Sequence, residues 1–493
     1  MEKVKEVFSM KNINEENMLC FFIMICPILD MVSFLYRNTF NTNFSPSTII
    51  RPIIPIIIAI YLFFKENKKF RLYTAISVCV YIIYGILHLI VFKTQITKSS
   101  YSNSIHEAQY LVNYSFMILN LFLYLYLFRN NTNQDKLFKS VMIANIIYII
   151  SIYISIFTKT SSSTYIEKIG YKGWFESGNS IGTIMLLALF IVLPMLNKEN
   201  RLSIRIWVLM ITVLVGAYLC TLLGTRTGLF GFIIVVMAYI AFTVLHNLLN
   251  KNKLNKKILT IGVIILVLVG IAVTIFGSKT IERRRELKNK ENEIYDTMTN
   301  QTAHVTGDTV ELVKKIKAGQ MDENYMSESM QQAYLDLYNT ANEKQISNTN
   351  MRTLQLIYHS NLIKEQNSIP MLLFGNGYMS HYYEMIFEME VPAFLFNFGV
   401  IGFFLYFTPF LMTAVYGIYV ILKKFKVSKV EFAMALSGLW FAIIISFLSG
   451  YTFFNSSTMI IIITLSVIVV NQIKDIDDNE VKIYNPEKGN DTL

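Results

Sequence analysis

Three stretches of this sequence place charged or hydrogen-bonding residues where an apolar chain makes them costly. The first is Gly224-Thr225-Arg226-Thr227-Gly228, a short polar break between two apolar blocks. A guanidinium offers a planar fork that grips phosphate oxygens bidentately, and the flanking glycines let a bulky ligand approach the backbone. The competing reading of Arg226 is a snorkelling side chain that marks the membrane interface. The second stretch runs from Arg352 through Leu373-Phe374-Gly375-Asn376-Gly377-Tyr378, His381, Glu384, Glu388 and Glu390 to Phe398-Gly399-Val400-Ile401-Gly402. A carboxylate or imidazole there suits a general base toward a sugar hydroxyl, and Arg352 suits a diphosphate. Glu384 and Glu388 are also one helical turn apart, which fits an amphipathic interfacial helix with a solvated acidic face. The third is Gly173-Trp174-Phe175-Glu176-Ser177-Gly178-Asn179-Ser180, polar and aromatic groups at the mouth of an apolar block. Trp174 and Phe175 equally fit an interfacial anchor, and Asn179 a helix N-cap.

Other polar residues divide in the same way. Arg51 opens one apolar block and Asp30 lies within another, so the two either pair inside a bundle or leave Arg51 to assist at a site. His88, alone on an apolar block, reads as an interhelical hydrogen bond. The run Arg283-Arg284-Arg285 reads as a solvated helix face or a lipid-headgroup contact. Neither HExxH nor a paired-aspartate metal motif, a P-loop or a serine nucleophile elbow occurs, and the cysteines show no CxxC spacing. Neither a metal nor another cofactor is expected.

The elements that carry these residues follow from composition. Of 493 residues, 53% are hydrophobic and 16% charged, too apolar for a water-soluble chain of this size. The apolar residues fall in blocks of about 20, enough for a helix to cross about 30 Å of hydrocarbon at about 1.5 Å per residue. Their unbroken Ile, Leu, Phe and Tyr runs lack the alternation of a β-barrel. Spans are expected near 18–36, 48–64, 73–92, 107–128, 138–157, 178–196, 205–223, 226–246, 258–277, 396–421, 432–451 and 454–472. This is an all-α integral membrane fold of about twelve helices, with helices 1–9 in 1–277, a large, mainly helical extracytoplasmic loop over 278–395, the last three helices in 396–472 and a cytoplasmic tail over 473–493, polar and expected to be disordered from Asp475 onward.

Charge sets the orientation. Short segments at one end carry Lys65/Lys68/Lys69/Arg71, Arg129/Lys136/Lys139, Lys198/Arg201/Arg205, Lys251/Lys253/Lys256/Lys257 and Lys423/Lys424/Lys426/Lys429. Those at the other carry Arg37, Lys93/Lys98, Lys159/Lys168/Lys172 and Arg226, so both termini are expected in the cytoplasm. The net charge of +10 is thus topological and implies no nucleic-acid partner.

The pattern resembles the O-antigen ligase and polymerase superfamily of bacterial membrane glycosyltransferases. The Gly178-Asn179-Ser180-Ile181-Gly182 start of the sixth span, the Gly224–Gly228 turn before the eighth, and the 373–378 and 398–402 motifs at the end of the loop carry that resemblance, which covers the topology of nearly the whole chain. It implies an inverting, metal-independent transfer of a glycan from undecaprenyl diphosphate to an acceptor hydroxyl outside the cytoplasmic membrane. On that pattern Arg226 would hold the diphosphate with Arg352 and Arg51 assisting, and Glu388, Glu390 or His381 would act as base. Glu176, Asn179, Gly375, Gly377 and Tyr378 would line the site. Ligases of the superfamily carry a key histidine in this loop; His381 lies farther from Gly399 than that pattern, with acids nearer, which favours a polymerase.

The richness in Ile, Asn, Lys and Tyr points to an AT-rich, low-GC Gram-positive genome and a cell without a lipid A core as acceptor. A polymerase of capsule or other surface polysaccharide is therefore the first reading, with a ligase onto a wall or protein acceptor the second. The implied partners are the lipid-linked oligosaccharide, the growing polysaccharide, membrane lipid and a flippase or chain-length regulator. A transporter or lipid-saccharide flippase is the reading from another class; transporter halves usually repeat, and no such repeat is visible.

Overall fold

The computed structural model describes residues 14–42, 44–94, 103–129, 134–165, 168–198, 201–249, 256–298, 308–323, 325–346, 350–378, 385–425, 428–448, 450 and 452–484. Among these residues ten helices are long and apolar enough to cross a membrane, and two bent pairs raise the number to twelve if each pair is one span. The protein is thus an all-α integral membrane protein.

In chain order the helices are α1 (Glu15–Phe40), α2 (Pro46–Lys65), α3 (Lys68–Thr94), α4 (Ser104–Leu127), α5 (Gln134–Phe157), α6 (Gly178–Val192), the short α7 (Met195–Lys198), α8 (Leu202–Ala217), α9 (Arg226–Leu249) and α10 (Lys256–Phe276). Past the tenth come α11 (Lys279–Met298), α12 (Asp308–Lys317), α13 (Glu328–Glu343), α14 (Met351–Gln366) and α15 (Ile369–Phe374). The chain then returns through α16 (Glu390–Tyr406), α17 (Thr408–Lys424), α18 (Val430–Leu448) and α19 (Ser456–Tyr484).

Burial sorts the spans. The span that includes α6 is apolar on every side and 94% buried, packed against α5, α9, α18 and α19. The spanning part of α19 is 89% buried, against α4, α17 and α18. An all-round hydrophobic helix belongs at the centre of a bundle, and these two form that centre. Spans α2 and α3 are only 22% buried, so most of their apolar surface faces lipid. Helices α12 to α14 form a second, separate core of Val313, Met330, Tyr334, Leu337, Leu354 and Leu362, joined by Met385.

Four features depart from the expected layout. The span expected over 396–421 is two helices, α16 and α17, meeting at 51°. Pro409 lies in the first turn of α17, where its missing N–H is tolerated and a new helix starts readily. The chain likewise bends by 51° after the ninth span, between α10 and α11. A small antiparallel hairpin of β1 (Ser162–Ser163) and β2 (Tyr171–Gly173), absent from the sequence reading, lies between α5 and α6. Helix α19 runs on to Tyr484, so disorder from Asp475 onward is corrected for that stretch; the rest of the tail lies outside the described residues.

The two glycine motifs that end the loop dock on one another. Asn376 N–H donates to Phe396 O and Gly377 N–H to Asn397 O, both at 2.9 Å. This approach requires positive φ at Gly375 (90°), Gly377 (81°) and Gly399 (71°), the last inside α16. A Cβ on Gly375 would sit 2.2 Å from Asn397 O, and one on Gly399 2.4 Å from Gly375 N. Gly375→Ala and Gly399→Ala are expected to destabilise the protein by more than about 2 kcal/mol each, read as lowered thermal unfolding in detergent. Gly270→Ala, where a Cβ meets nothing within 4 Å, is the neutral control.

Candidate functional site

The docked turn is held from below by two buried polar groups on neighbouring spans. Glu107 on α4 and His88 on α3 are both fully buried. Glu107 accepts the Tyr378 N–H with both oxygens, at 3.1 and 2.9 Å. His88 Nδ1 faces Phe374 O at 2.5 Å, and its Nε2 lies 3.0 Å from Glu107 Oε1. A carbonyl can only accept, so Nδ1 carries a proton, and a second proton must lie between Nε2 and the carboxylate. His88 is thus the interhelical hydrogen bond expected of it. Gly375, Gly377 and Tyr378, expected to line a site, form the joint between loop and bundle, with the Tyr378 and Tyr110 ring centres 4.3 Å apart.

Beyond the joint, the two acids expected as candidate bases have different surroundings. Glu390 is 1% exposed and accepts three backbone N–H groups, from Thr452 at 2.6 Å, Phe453 at 2.6 Å and Phe454 at 3.0 Å. A buried carboxylate needs such donors to stay charged, and these wrap the turn between α18 and α19 around it. Glu388 is 53% exposed and paired with Arg352 Nε at 3.2 Å. Arg352, expected to assist at a diphosphate, is thus half-exposed and paired with this acid. His381 and Glu384 lie outside the described residues.

The same turn reaches the Arg51 cluster. Asn455 caps α19 by accepting from Ser457 N and Thr458 N at 3.1 and 3.0 Å. Ser457 Oγ donates to Asp30 Oδ2 at 2.7 Å, Tyr148 Oη donates to the same oxygen at 2.6 Å, and Arg51 hydrogen-bonds both Asp30 and Ser457. Arg51 thus pairs within the bundle, and it also lines a cavity of about 90 Å³ with Thr48, Asn113, Asn120 and Ser456. Glu176 pairs with Arg37 at 2.7 Å. Asn179 is half-buried, and the N-cap of α6 is Ser177, correcting that part of the reading.

Arg226 stands on a separate, rigid turn. Residues Tyr218–Leu222 form a π-helical segment, a geometry that concentrates at functional sites, and Gly224 follows with φ 84°. Thr225 Oγ1 accepts Gly228 N–H at 3.1 Å and caps α9. Thr164 donates to Leu223 O at 2.8 Å, Ser278 to Cys220 O at 2.8 Å and Thr280 to Thr225 O at 3.2 Å. So the β1–β2 segment and the α10–α11 bend both brace the turn. Arg226 itself is exposed and makes no ion pair among the described residues. Arg283 is held nearby on α11, its guanidinium 3.3 Å from the centre of the Tyr165 ring.

The structure therefore joins Arg352, Glu388, Glu390, Gly375, Gly377 and Tyr378 around the loop's return, and links Arg51 to them through the 452–457 turn. Among the described residues, no hydrogen bond or ion pair connects Arg226 to that group. Sequence reasoning missed Glu107, Tyr148 and the 452–457 turn. Only the turn had a local signal, the Asn455-Ser456-Ser457 cap before an apolar run.

Buried inside the loop bundle, His359 has its pKa lowered to about 3 by desolvation, against a raising contribution from its hydrogen bond to Met385. The unfolded ring titrates near about 6.5, so between these values the unfolded chain binds more protons than the folded one. The bundle's stability from this group is complete above about pH 6.5 and is lost as pH falls toward 3, at up to about 1.4 kcal/mol per pH unit. Hydrogen exchange across α12–α14 should accelerate from pH 7 to pH 4.5 after correction for intrinsic rates, and His359→Phe should flatten that dependence.

A family model described as O-antigen ligase like membrane protein matches residues 12–475. No curated protein and no solved structure gave a match.

Proposed function

The chain belongs to the O-antigen ligase-like membrane protein family, and on that premise we propose that it is a polymerase, moving oligosaccharide units from undecaprenyl diphosphate onto a growing surface polysaccharide. Family membership supports a glycan-transfer role and, with it, a lipid-linked glycan and a polysaccharide acceptor as substrates. The observation that carries the assignment of roles is the contrast between the two neighbouring acids. Glu390 is enclosed by backbone amides, whereas Glu388 is exposed and oriented by Arg352.

Glu388 acts as the base and Glu390 as its anchor. The acceptor hydroxyl gives its proton to Glu388 while its oxygen bonds to the anomeric carbon of the donor. The bond from that carbon to the diphosphate oxygen breaks on the opposite face, its electron pair leaves with the diphosphate, and the configuration inverts. Arg226 receives that charge. Its exposed guanidinium on a braced, glycine-flanked turn suits diphosphate better than a pairing role inside the bundle. Arg51, held by Asp30 and Ser457, keeps the 452–457 turn in place and lines the small cavity beside it. Neither the proton transfer nor the displacement calls for a metal.

In this reading the loop lies outside the cytoplasmic membrane of a Gram-positive cell and both termini lie inside, in accord with the Lys and Arg distribution. A flippase delivers the donor, and a chain-length regulator acts on the product.

Purified protein in vesicles, given labelled undecaprenyl-diphosphate oligosaccharide, should release the diphosphate lipid and lengthen the glycan. Transport without bond cleavage would instead support a carrier. Arg226→Ala and Arg226→Lys should each lower turnover by at least about a hundredfold with the fold retained, because lysine lacks the bidentate fork. A fully active lysine variant would remove Arg226 from the diphosphate site. Glu388→Gln should abolish turnover without loss of thermal stability, whereas Glu390→Gln should destabilise the protein by about 2–3 kcal/mol, since its amide N–H₂ would face backbone donors.

A further inference from the structure

We propose that Gln355 and His359 are positioning residues for this reaction, forming with Arg352 a three-point clamp that sets the place of Glu388. This rests on the reading of Glu388 as the base. Arg352, Gln355 and His359 are three and four residues apart on α14, so they project from one helix face. That face meets the segment Met385–Glu388 at each of its ends and in its middle.

His359 Nε2 lies 2.7 Å from Met385 O and donates to it. Gln355 works in both directions: its Nε2 donates to Ile386 O at 2.8 Å, and its Oε1 accepts the Glu388 N–H at 3.1 Å. Arg352 then reaches the Glu388 carboxylate itself. Between these points Phe387 stacks on the His359 ring, with centres 3.9 Å apart and planes 20° from parallel. Phe396 of α16 packs on both rings, at 5.7 Å and 5.3 Å, and its carbonyl is the one that receives Asn376 N–H. The backbone of a segment with no regular structure is thus bonded at three successive places to a rigid helix, and that helix is tied to the membrane joint.

Gln355 and His359 are 3% and 1% exposed, and a polar side chain buried this deeply requires partners. Satisfying burial alone would not require both groups of the Gln355 amide to bond the same short segment on either side of Phe387. Nor would it place the Arg352 guanidinium of that face on the exposed carboxylate of the same segment. A base misplaced by about 1 Å can cost about a hundredfold in rate, which gives a clamp of this kind a direct effect on turnover.

The test uses the full chain in lipid nanodiscs, with an undecaprenyl-diphosphate oligosaccharide extracted from producing cells as substrate. Gln355→Ala removes one point, His359→Phe keeps the stack on Phe387 but loses the donor, and His359→Gln restores a donor. Leu337→Ala, in the same core without a bond to the segment, is the control for simple loss of stability. The expected result for Gln355→Ala and His359→Phe is faster hydrogen exchange across 386–388 and a kcat about tenfold to a hundredfold lower, with KM for the donor within about twofold. His359→Gln should recover most of the loss, and Leu337→Ala should leave the kcat of folded protein unchanged. Unaltered exchange across 386–388 in Gln355→Ala and His359→Phe overturns the clamp whatever Glu388 does. Faster exchange with full kcat, alongside an inactive Glu388→Gln, overturns the positioning role and leaves the base assignment standing. A fully active Glu388→Gln overturns the base assignment, and the proposal falls with it.

Discussion

A carboxylate enclosed in an apolar bundle must be given hydrogen-bond donors or give up its charge, and Glu390 is given three consecutive backbone amides. That contact joins the start of α16 to the turn before α19, two parts of the chain separated in sequence by three helices. The turn in turn carries Asn455, which caps α19, and Ser457, which bonds Asp30 and Arg51. One buried acid therefore locks the loop's return, the central helix and the Arg51 cluster into a single arrangement.

Glu107 does the corresponding work at the other end of the return. It holds Tyr378 through its backbone and shares a proton with His88, so the segment from Tyr378 to Glu390 is tied at both ends to membrane helices. Each tie is expensive to leave half made, because either acid alone in hydrocarbon would be a buried, unpaired charge. The exposed Glu388 sits just before the second tie, close enough to be rigid and far enough to remain accessible. Chemically identical side chains two positions apart thus meet opposite surroundings, one enclosed by backbone amides and one exposed beside Arg352.

The spans were legible because hydrocarbon imposes a block length and a composition that no other constraint imitates. Nearly all the expected spans lie within a few residues of the helices, and the glycine motifs at the loop's end stand out in the sequence without showing that they dock on one another. The bend between Tyr406 and Thr408 was not read, since an apolar block looks continuous through a break that only Pro409 and packing reveal. Residue type singled out Glu388, Glu390, Arg352, Arg226 and Arg51, while their surroundings, one acid enclosed by amides, one exposed beside Arg352, Arg51 held by Asp30 and Arg226 exposed, depended on neighbours far along the chain. Glu107 and Tyr148 carried no local mark at all: one looked like a polar residue opening a helix, the other like one more aromatic in an aromatic-rich chain.

The position of the 452–454 turn also has a bearing on biogenesis. Chains are made from the amino terminus, and segments pack as they become available. The loop, the two glycine motifs and Glu390 all leave the ribosome before the amides that Glu390 requires. The surroundings of Glu390 are therefore incomplete until the turn before α19 has followed, and a chain stopped short of that turn holds a buried acid without its three amide donors.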